Sequence, residues 1–367
     1  MTTQLQRLAE LGQSPWIDYL ARPFVREGEL ERLVADGIAG VTSNPTIFDG
    51  AIAGGAAYDE QLRELAREQS EPKQVFLALA REDVRGACDL LRGVFERDAN
   101  TRDGWVSLEV DPNFAYQPQE TIDEARLLHA LIDRPNLFVK IPGTEPGLEA
   151  IEEAIASGIP INVTLLFSLE RHRAAAEAYI RGLRRLRDSG GDLRQVASVA
   201  SFFVSRVDTE ADRRLEQLGG YDELKGTLAV ANAKLAYQTY QQVFSGPEWQ
   251  ELERDGASPQ RCLWASTSTK NPAYRDVLYV EELIGPETVN TMPRETIDAF
   301  EDHGAVEPTL ERDLDTAHRT LERFAEAGIE YDDVVAVLER EGVEKFANSF
   351  RDLLDSVSSK RQELVAA

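Results

Sequence analysis

Cysteine is scarce. Cys88 and Cys262 are the only two in 367 residues, far apart and in no paired motif. That excludes a disulfide scaffold and fits a reducing cytosol. Histidine is nearly as rare, with four residues at no metal-ligand spacing among themselves or with cysteine, so no metal is expected. Long apolar runs are missing too. Nothing approaches the roughly 20 residues that a bilayer span needs. The opening "MTTQLQRLAELGQS" has no charged segment followed by an apolar one, so no signal peptide is expected. Positive charge is in deficit: 40 Lys and Arg face 65 Asp and Glu, a net charge of -25. Such a surface repels nucleic acid and anionic membranes, so neither is an expected partner and the expected location is cytoplasmic. An anionic small substrate stays compatible only where a site gathers cations locally.

What is present is an ordinary globular mixture, 42% hydrophobic and 29% charged. Apolar, β-favouring runs recur: "SPWIDYL", "IAGVTSN", "GWVSLEVD", "LFVKIPG", "PINVTLLF", "QVASVASFFV", "RCLWAST" and "ETVNTMP". They are continuously apolar rather than alternating, as strands covered on both faces should be. Helical patterns separate them. "TIDEARLLHALID" is expected to open on a capping box of Thr121 and Glu124. "SLERHRAAAEAYIRGLRRLRDSGG" is expected to start at the cap Ser168, with Ala175, Tyr179, Leu183 and Leu186 on its apolar face. Repeated strand–helix alternation predicts an α/β protein, a (β/α)8 TIM barrel. A doubly wound open sheet is the competing reading, and no glycine-rich dinucleotide fingerprint follows any strand. The stretch Ser205 to Gln260 holds more helix than one crossover needs, and the chain after Glu307 reads as helical and acidic. The expected organisation is a single domain over 1–367 with additional helices, residues 307–367 forming a helical C-terminal extension packed on it.

Barrel chemistry gathers at the C-terminal ends of strands. The polar residues there are Asp18, then Thr42, Ser43 and Asn44, then Glu109 and Asp111, then Lys140. Asn162 and Thr164, Ser201 with Arg206 beyond it, and the run Ser266 to Lys270 follow. Asn162 and Thr164 are two apart and share a strand face. Each alone has a plain explanation. Lys140 could be salt-bridged at a rim, Asp18 and Glu109 could pair with arginines, and Asn44 before Pro45 is a common turn residue. Their convergence on one rim is harder to dismiss.

Lys140 is the sharpest feature, because a buried ammonium is costly unless paired or neutral. At the ordinary lysine value of about 10.4, roughly one side chain in 2,500 is neutral at pH 7. Burial disfavours the charged form and is expected to raise that fraction, turning Lys140 into a nucleophile. Such an amine attacks a carbonyl to form a Schiff base, whose iminium draws electrons from a neighbouring carbon–carbon bond. Carboxylates can shuttle protons, amides can grip sugar hydroxyls, and Arg206 with the loop after the seventh strand lies where barrels bind phosphate.

The motifs "GVTSNPTIF", "SLEVDP", "LFVKIPGT", "INVTLLFS", "SVASFFVSRVD" and "LWASTSTKNP", with the terminal "EGVEKFANSFRDLLDSV", run in the order found in transaldolases. Over essentially its whole length the chain resembles the longer bacterial subfamily of that family. The resemblance implies a barrel of the class I aldolase type that needs no cofactor. It implies transfer of a dihydroxyacetone unit from a ketose phosphate to an aldose phosphate in the pentose phosphate pathway. Lys140 would form the Schiff base with sedoheptulose 7-phosphate or fructose 6-phosphate. Asp18 would be the acid/base at bond cleavage, and Glu109 and Thr164 would hold the water used in imine chemistry. Asn44 and Asn162 would bind the dihydroxyacetone hydroxyls, and Ser201, Arg206 and Ser266 the phosphate. The family also carries a second arginine two residues after the serine matching Ser266. Here that position is Ser268, and Lys270 is the candidate for the missing charge. The alternatives are a fructose-6-phosphate aldolase-like lyase and a catalytically silent sugar-phosphate-binding barrel. A pyridoxal phosphate enzyme is weaker, for want of partners to the cofactor ring. Either a monomer or a homodimer is compatible.

Overall fold

Each of the eight apolar runs forms a strand in the computed structural model, which describes residues 2–68, 71–97 and 102–366. The strands are β1 (Gln13–Asp18), β2 (Gly40–Thr42), β3 (Trp105–Glu109) and β4 (Leu137–Pro142). They continue as β5 (Ile161–Leu166), β6 (Ser198–Phe203), β7 (Arg261–Ala265) and β8 (Thr288–Met292). All neighbours pair in parallel, in chain order, and β8 returns to β1 from Gln13↔Thr288 to Ile17↔Met292. That last pairing closes the ring and rules out the open sheet. Nearly every strand residue is buried, because side chains pack both inside the barrel and against the outer helices.

The helices follow from local signals with one correction. Ser168 caps the helix Leu169–Asp188, its hydroxyl accepting from the Arg171 amide at 3.0 Å, and Ala175, Tyr179, Leu183 and Leu186 are buried as expected. The capping box at Thr121 does not form. That helix runs Pro118–Ile132 with its cap at Gln117, four residues earlier, and proline in its first turn. Thr121 instead donates to the Phe114 carbonyl at 2.8 Å, and Glu124 pairs with Lys73 at 2.9 Å. The helix-rich stretch after β6 holds three helices, Ser205–Leu218, Leu228–Val243 and Pro247–Arg254.

The two ends of the barrel differ. At the N-terminal end Arg261, 4% exposed, donates to Ser14 Oγ at 2.8 Å and lies 3.3 Å from Asp103. Asp103 also accepts from Ser14 at 2.8 Å and from the Trp16 indole at 3.2 Å. A satisfied polar network plugs that end. At the other end the tail forms the helices Leu314–Glu326 and Tyr331–Ala366. The last has 36 residues, so at ~1.5 Å per residue it is about 54 Å long. It packs on the helix Pro45–Ala53 after β2, on the turn Pro112–Phe114 after β3, on β5, and on Ser205–Leu218 after β6. It therefore crosses the face where the strands end. The crossing is close: a Cβ on Gly342 would stand 3.2 Å from Leu165.

Gly40 is set by the core rather than by a turn. A Cβ there would come within 2.4 Å of the buried Trp16 ring. Gly40→Ala is expected to destabilise the fold by ~1–3 kcal/mol through overpacking. A lower urea midpoint at unchanged slope would be the signature; an unchanged midpoint would show that Trp16 can move aside.

Candidate active site

Strand register places the central groups. Glu109 on β3 is the pairing partner of Lys140 on β4, and Lys140 is the partner of Asn162 on β5. Lys140 is 5% exposed and Glu109 8%. The Lys140 Nζ lies 3.2 Å from Glu109 Oε2, donates to the Ser43 carbonyl at 3.2 Å, and stands 5.4 Å from the Phe346 ring centre. The ion pair is poorly aligned: neither Glu109 oxygen accepts a well-directed hydrogen bond among the described residues. Burial pushes the Glu109 carboxyl above its ordinary range, and the Lys140 charge opposes that rise.

Asp18, at the end of β1, accepts from Thr42 Oγ1 at 2.7 Å, and Thr42 is 2.7 Å from the Thr291 hydroxyl. Burial pushes the Asp18 carboxyl up as well, against the pull of Lys140, the Thr42 hydrogen bond and Arg206. Arg206 lies over Phe203 at 4.9 Å and Phe346 at 5.7 Å, in cation–π contact. Its burial lowers the guanidinium from its ordinary value.

The remaining residues fall into two tiers. Thr164 Oγ1 is fully buried and has no hydrogen-bond partner among the described residues. Asn162 sits deeper, its amide donating to Ser107 at 3.0 Å and its carbonyl accepting from Ser201 at 2.7 Å. The hydroxyl proton of Ser201 is thus committed to Asn162. At the outer tier Asn44 caps the helix Pro45–Ala53, accepting from the Ile47 amide at 3.1 Å, and among the described residues its amide nitrogen donates to no partner. Ser266 holds a left-handed backbone at φ +57°, uncommon for a residue with a side chain, and its hydroxyl is 2.9 Å from Ser205. Lys270 is exposed and donates to Ser268 at 2.6 Å.

Eight of the ten expected residues line one cavity of about 280 Å³: Asp18, Asn44, Lys140, Thr164, Ser201, Arg206, Ser266 and Lys270. Glu109 and Asn162 stand directly behind that wall. Strand-end reasoning missed other lining residues, among them the polar Thr291 and Glu295 and, from the chain's end, Lys345 and Phe346. The last two come from the C-terminal helix, whose docking over the mouth leaves no local pattern in the sequence. Asp111 goes the other way. It pairs with Lys73 at 2.9 Å and caps the turn Pro112–Phe114, so it is structural. A larger cavity of about 410 Å³ opens at the N-terminal end around Trp105 and Trp249. It holds none of this chemistry, and size does not select the site. Among the described residues no three His, Cys, Asp or Glu side chains gather as a metal-ligand set.

Fold and site together define a (β/α)8 barrel enzyme built on a buried lysine between two carboxylates, with cations at its mouth. Residues 15–357 match the sequence profile of the Transaldolase/Fructose-6-phosphate aldolase family. A transaldolase of Acidothermus cellulolyticus is 50% identical over 361 residues, covering 98% of this chain and 97% of that one. Transaldolases of a Parafrankia species and of Thermobifida fusca are 47% and 48% identical, the first over the full length of both chains and the second over 98% of this chain and 99% of that one. The chain belongs to this family and is an enzyme of the transaldolase type.

The raised Asp18 carboxyl has a consequence for stability. The unfolded chain loses this proton near pH 3.9 while the folded chain keeps it to higher pH. The native state then binds more protons over that window, so the Asp18 contribution to stability falls as pH rises through the folded value. Asp18→Asn, whose amide oxygen still accepts from Thr42, is expected to melt higher than the parent at pH 8, the gain vanishing toward pH 4. Melting curves across that range test it; a gain that grows toward acid would contradict the raised carboxyl.

Proposed function

We propose that the chain transfers a dihydroxyacetone unit from sedoheptulose 7-phosphate or fructose 6-phosphate to glyceraldehyde 3-phosphate or erythrose 4-phosphate, as in the non-oxidative pentose phosphate pathway. The observation that carries the reading is the Lys140 amine, buried 3.2 Å from Glu109 on the wall of a cavity that Asp18 also lines. Lys140 attacks the ketose carbonyl as a free amine and forms a carbinolamine. Glu109 takes up the amine proton and returns it to the departing hydroxyl, which leaves as water. Thr164, with its hydroxyl unpartnered, positions that water beside Glu109. The resulting iminium draws the electron pair of the adjacent carbon–carbon bond, while Asp18 removes the proton from the hydroxyl on the departing carbon. The aldose leaves as aldehyde, and the enamine remaining on Lys140 adds to the acceptor aldehyde by the reverse steps.

Asn44, through its amide nitrogen, binds a hydroxyl of the dihydroxyacetone unit. Asn162 acts from behind it, held by Ser107 and Ser201. Arg206, Ser266 and Lys270 at the mouth take the phosphate, with Ser201 lying nearer the reacting end through Asn162. We also infer that residues 307–367 belong to the same domain as the barrel, since the last helix supplies a wall of the cavity.

Borohydride reduction in the presence of fructose 6-phosphate, followed by peptide mass spectrometry, tests the central step. A reduced dihydroxyacetone adduct is expected on Lys140 and is expected to vanish in Lys140→Arg; an adduct on another lysine, or none, would overturn the assignment. Glu109→Gln is expected to lower kcat by about 10²–10⁴-fold, the range for loss of a positioned acid/base. Without an acceptor, release of free dihydroxyacetone at the rate of the full reaction would favour the aldolase-like lyase over transfer.

A further inference from the structure

The cavity mouth carries an imbalance of charge. In a chain of net charge -25, Arg206, Lys270 and Lys345 all line the same 280 Å³ cavity. None of the three forms an ion pair among the described residues, although carboxylates are abundant elsewhere on the surface. Asp18 and Glu295 line the same cavity, and Asp18 and Glu109 act on Arg206 from longer range, yet no carboxylate stands within ion-pair distance of the three cations among the described residues, which suits their mouth to an anion. Lys345 feels the repulsion directly: the Arg206 charge, then partial burial, then Lys270 hold its amine below the ordinary lysine value.

Geometry ties Lys345 to Arg206. The residue after Lys345 is Phe346, whose ring lies 5.7 Å from the Arg206 guanidinium and 5.4 Å from the Lys140 amine. Both belong to the helix Tyr331–Ala366. Its close approach at Gly342 fixes where that helix crosses the barrel. One turn of helix thus sets a ring against the guanidinium and contributes an ammonium to the same cavity. Lys270, by contrast, sits on the loop after β7 with its amine donating to Ser268 at 2.6 Å.

We propose that Lys345 is a phosphate-binding residue, pairing with Arg206 across the mouth, and that the C-terminal helix thereby sets the preference for phosphorylated over unphosphorylated sugars. The assignment deepens the sugar-phosphate reading given above and rests on it. Arg206 supplies the directional fork, and Lys345 supplies a point charge that needs no fixed geometry. Phosphate binding would relieve the repulsion between them, so the two cations act together on the anion.

The test uses inorganic phosphate on the full chain. In Lys345→Gln its Kd, read by phosphorus NMR titration, is expected to rise about tenfold or more, the scale of one charge-assisted hydrogen bond. Lys345→Arg is expected to stay within about threefold of the parent, since the charge is kept. The KM for fructose 6-phosphate is expected to rise in step with Kd in Lys345→Gln, with kcat changing less. An unchanged phosphate Kd in a folded Lys345→Gln overturns the proposal. Should that variant not fold, the parent decides: phosphate is expected to protect Lys345 from acetylation by acetic anhydride, and absence of protection overturns it. Borohydride trapping of dihydroxyacetone, which carries no phosphate, reports Lys140 separately. Its failure in the parent would strike the Schiff-base reading, while the phosphate titration still judges Lys345.

Discussion

The structure turns on a buried amine held against a carboxylate that does not fully satisfy it. Lys140 and Glu109 face each other at 3.2 Å with little solvent access, and the contact is too poorly aligned to be a strong hydrogen bond. A purely structural buried pair gains from good alignment and from satisfying its remaining lone pairs. This one has neither. Burial makes the Glu109 carboxyl hold a proton more tightly than an exposed glutamate, while the Lys140 charge opposes that rise. The pair leaves the amine beside a carboxylate whose charged form burial disfavours, the arrangement on which the proposed chemistry rests.

That constraint accounts for the surrounding architecture. The amine sits on the inner wall of a closed barrel, where register lines up Glu109, Lys140 and Asn162 on adjacent strands. At the opposite end the Arg261–Asp103–Ser14 network fills the barrel among the described residues, and the cavity that holds Lys140 lies toward the C-terminal side. There the last helix narrows the opening and sets Phe346 beside both Lys140 and Arg206. One ring restricts solvent at the amine and stacks under the guanidinium at the mouth. The reacting end and the anion end of the cavity are thus tied through a single side chain.

The barrel was legible because its strands are continuously apolar, and that pattern depends only on burial from two sides. Most of the site was legible for a related reason: a polar residue at the end of such a strand has few places to point. The misreadings came where two local signals competed or where the partner was remote. Asp111 and Glu109 are two residues apart at the end of one strand, and only Lys73, brought in by the helix Pro72–Phe95, separates the structural carboxylate from the central one. The stretch around Thr121 offered two helix starts, Pro118 and the apparent capping box. Lys73 drew Glu124 away, and the Phe114 carbonyl drew off the Thr121 hydroxyl. Lys345 and Phe346 could not be found by periodicity, which says that a helix has a buried face but not what it is buried against.

The overall acidity and the cationic mouth belong to one arrangement. A strongly negative surface repels phosphorylated sugars everywhere except where the field reverses, and at 0.15 M salt it is screened within about 8 Å. Inside a cavity walled by a barrel and a helix, screening is weaker, and three cations with no ion-pair partner among the described residues are felt at short range, beside Asp18 and Glu295 of the same lining. A diffuse attraction would hold a sugar phosphate anywhere on a basic surface. A local one, set against an acidic exterior, suits the proposed binding, with the phosphate at the mouth and the carbonyl toward the amine. The surrounding acidity thus sharpens the contrast at that cationic mouth.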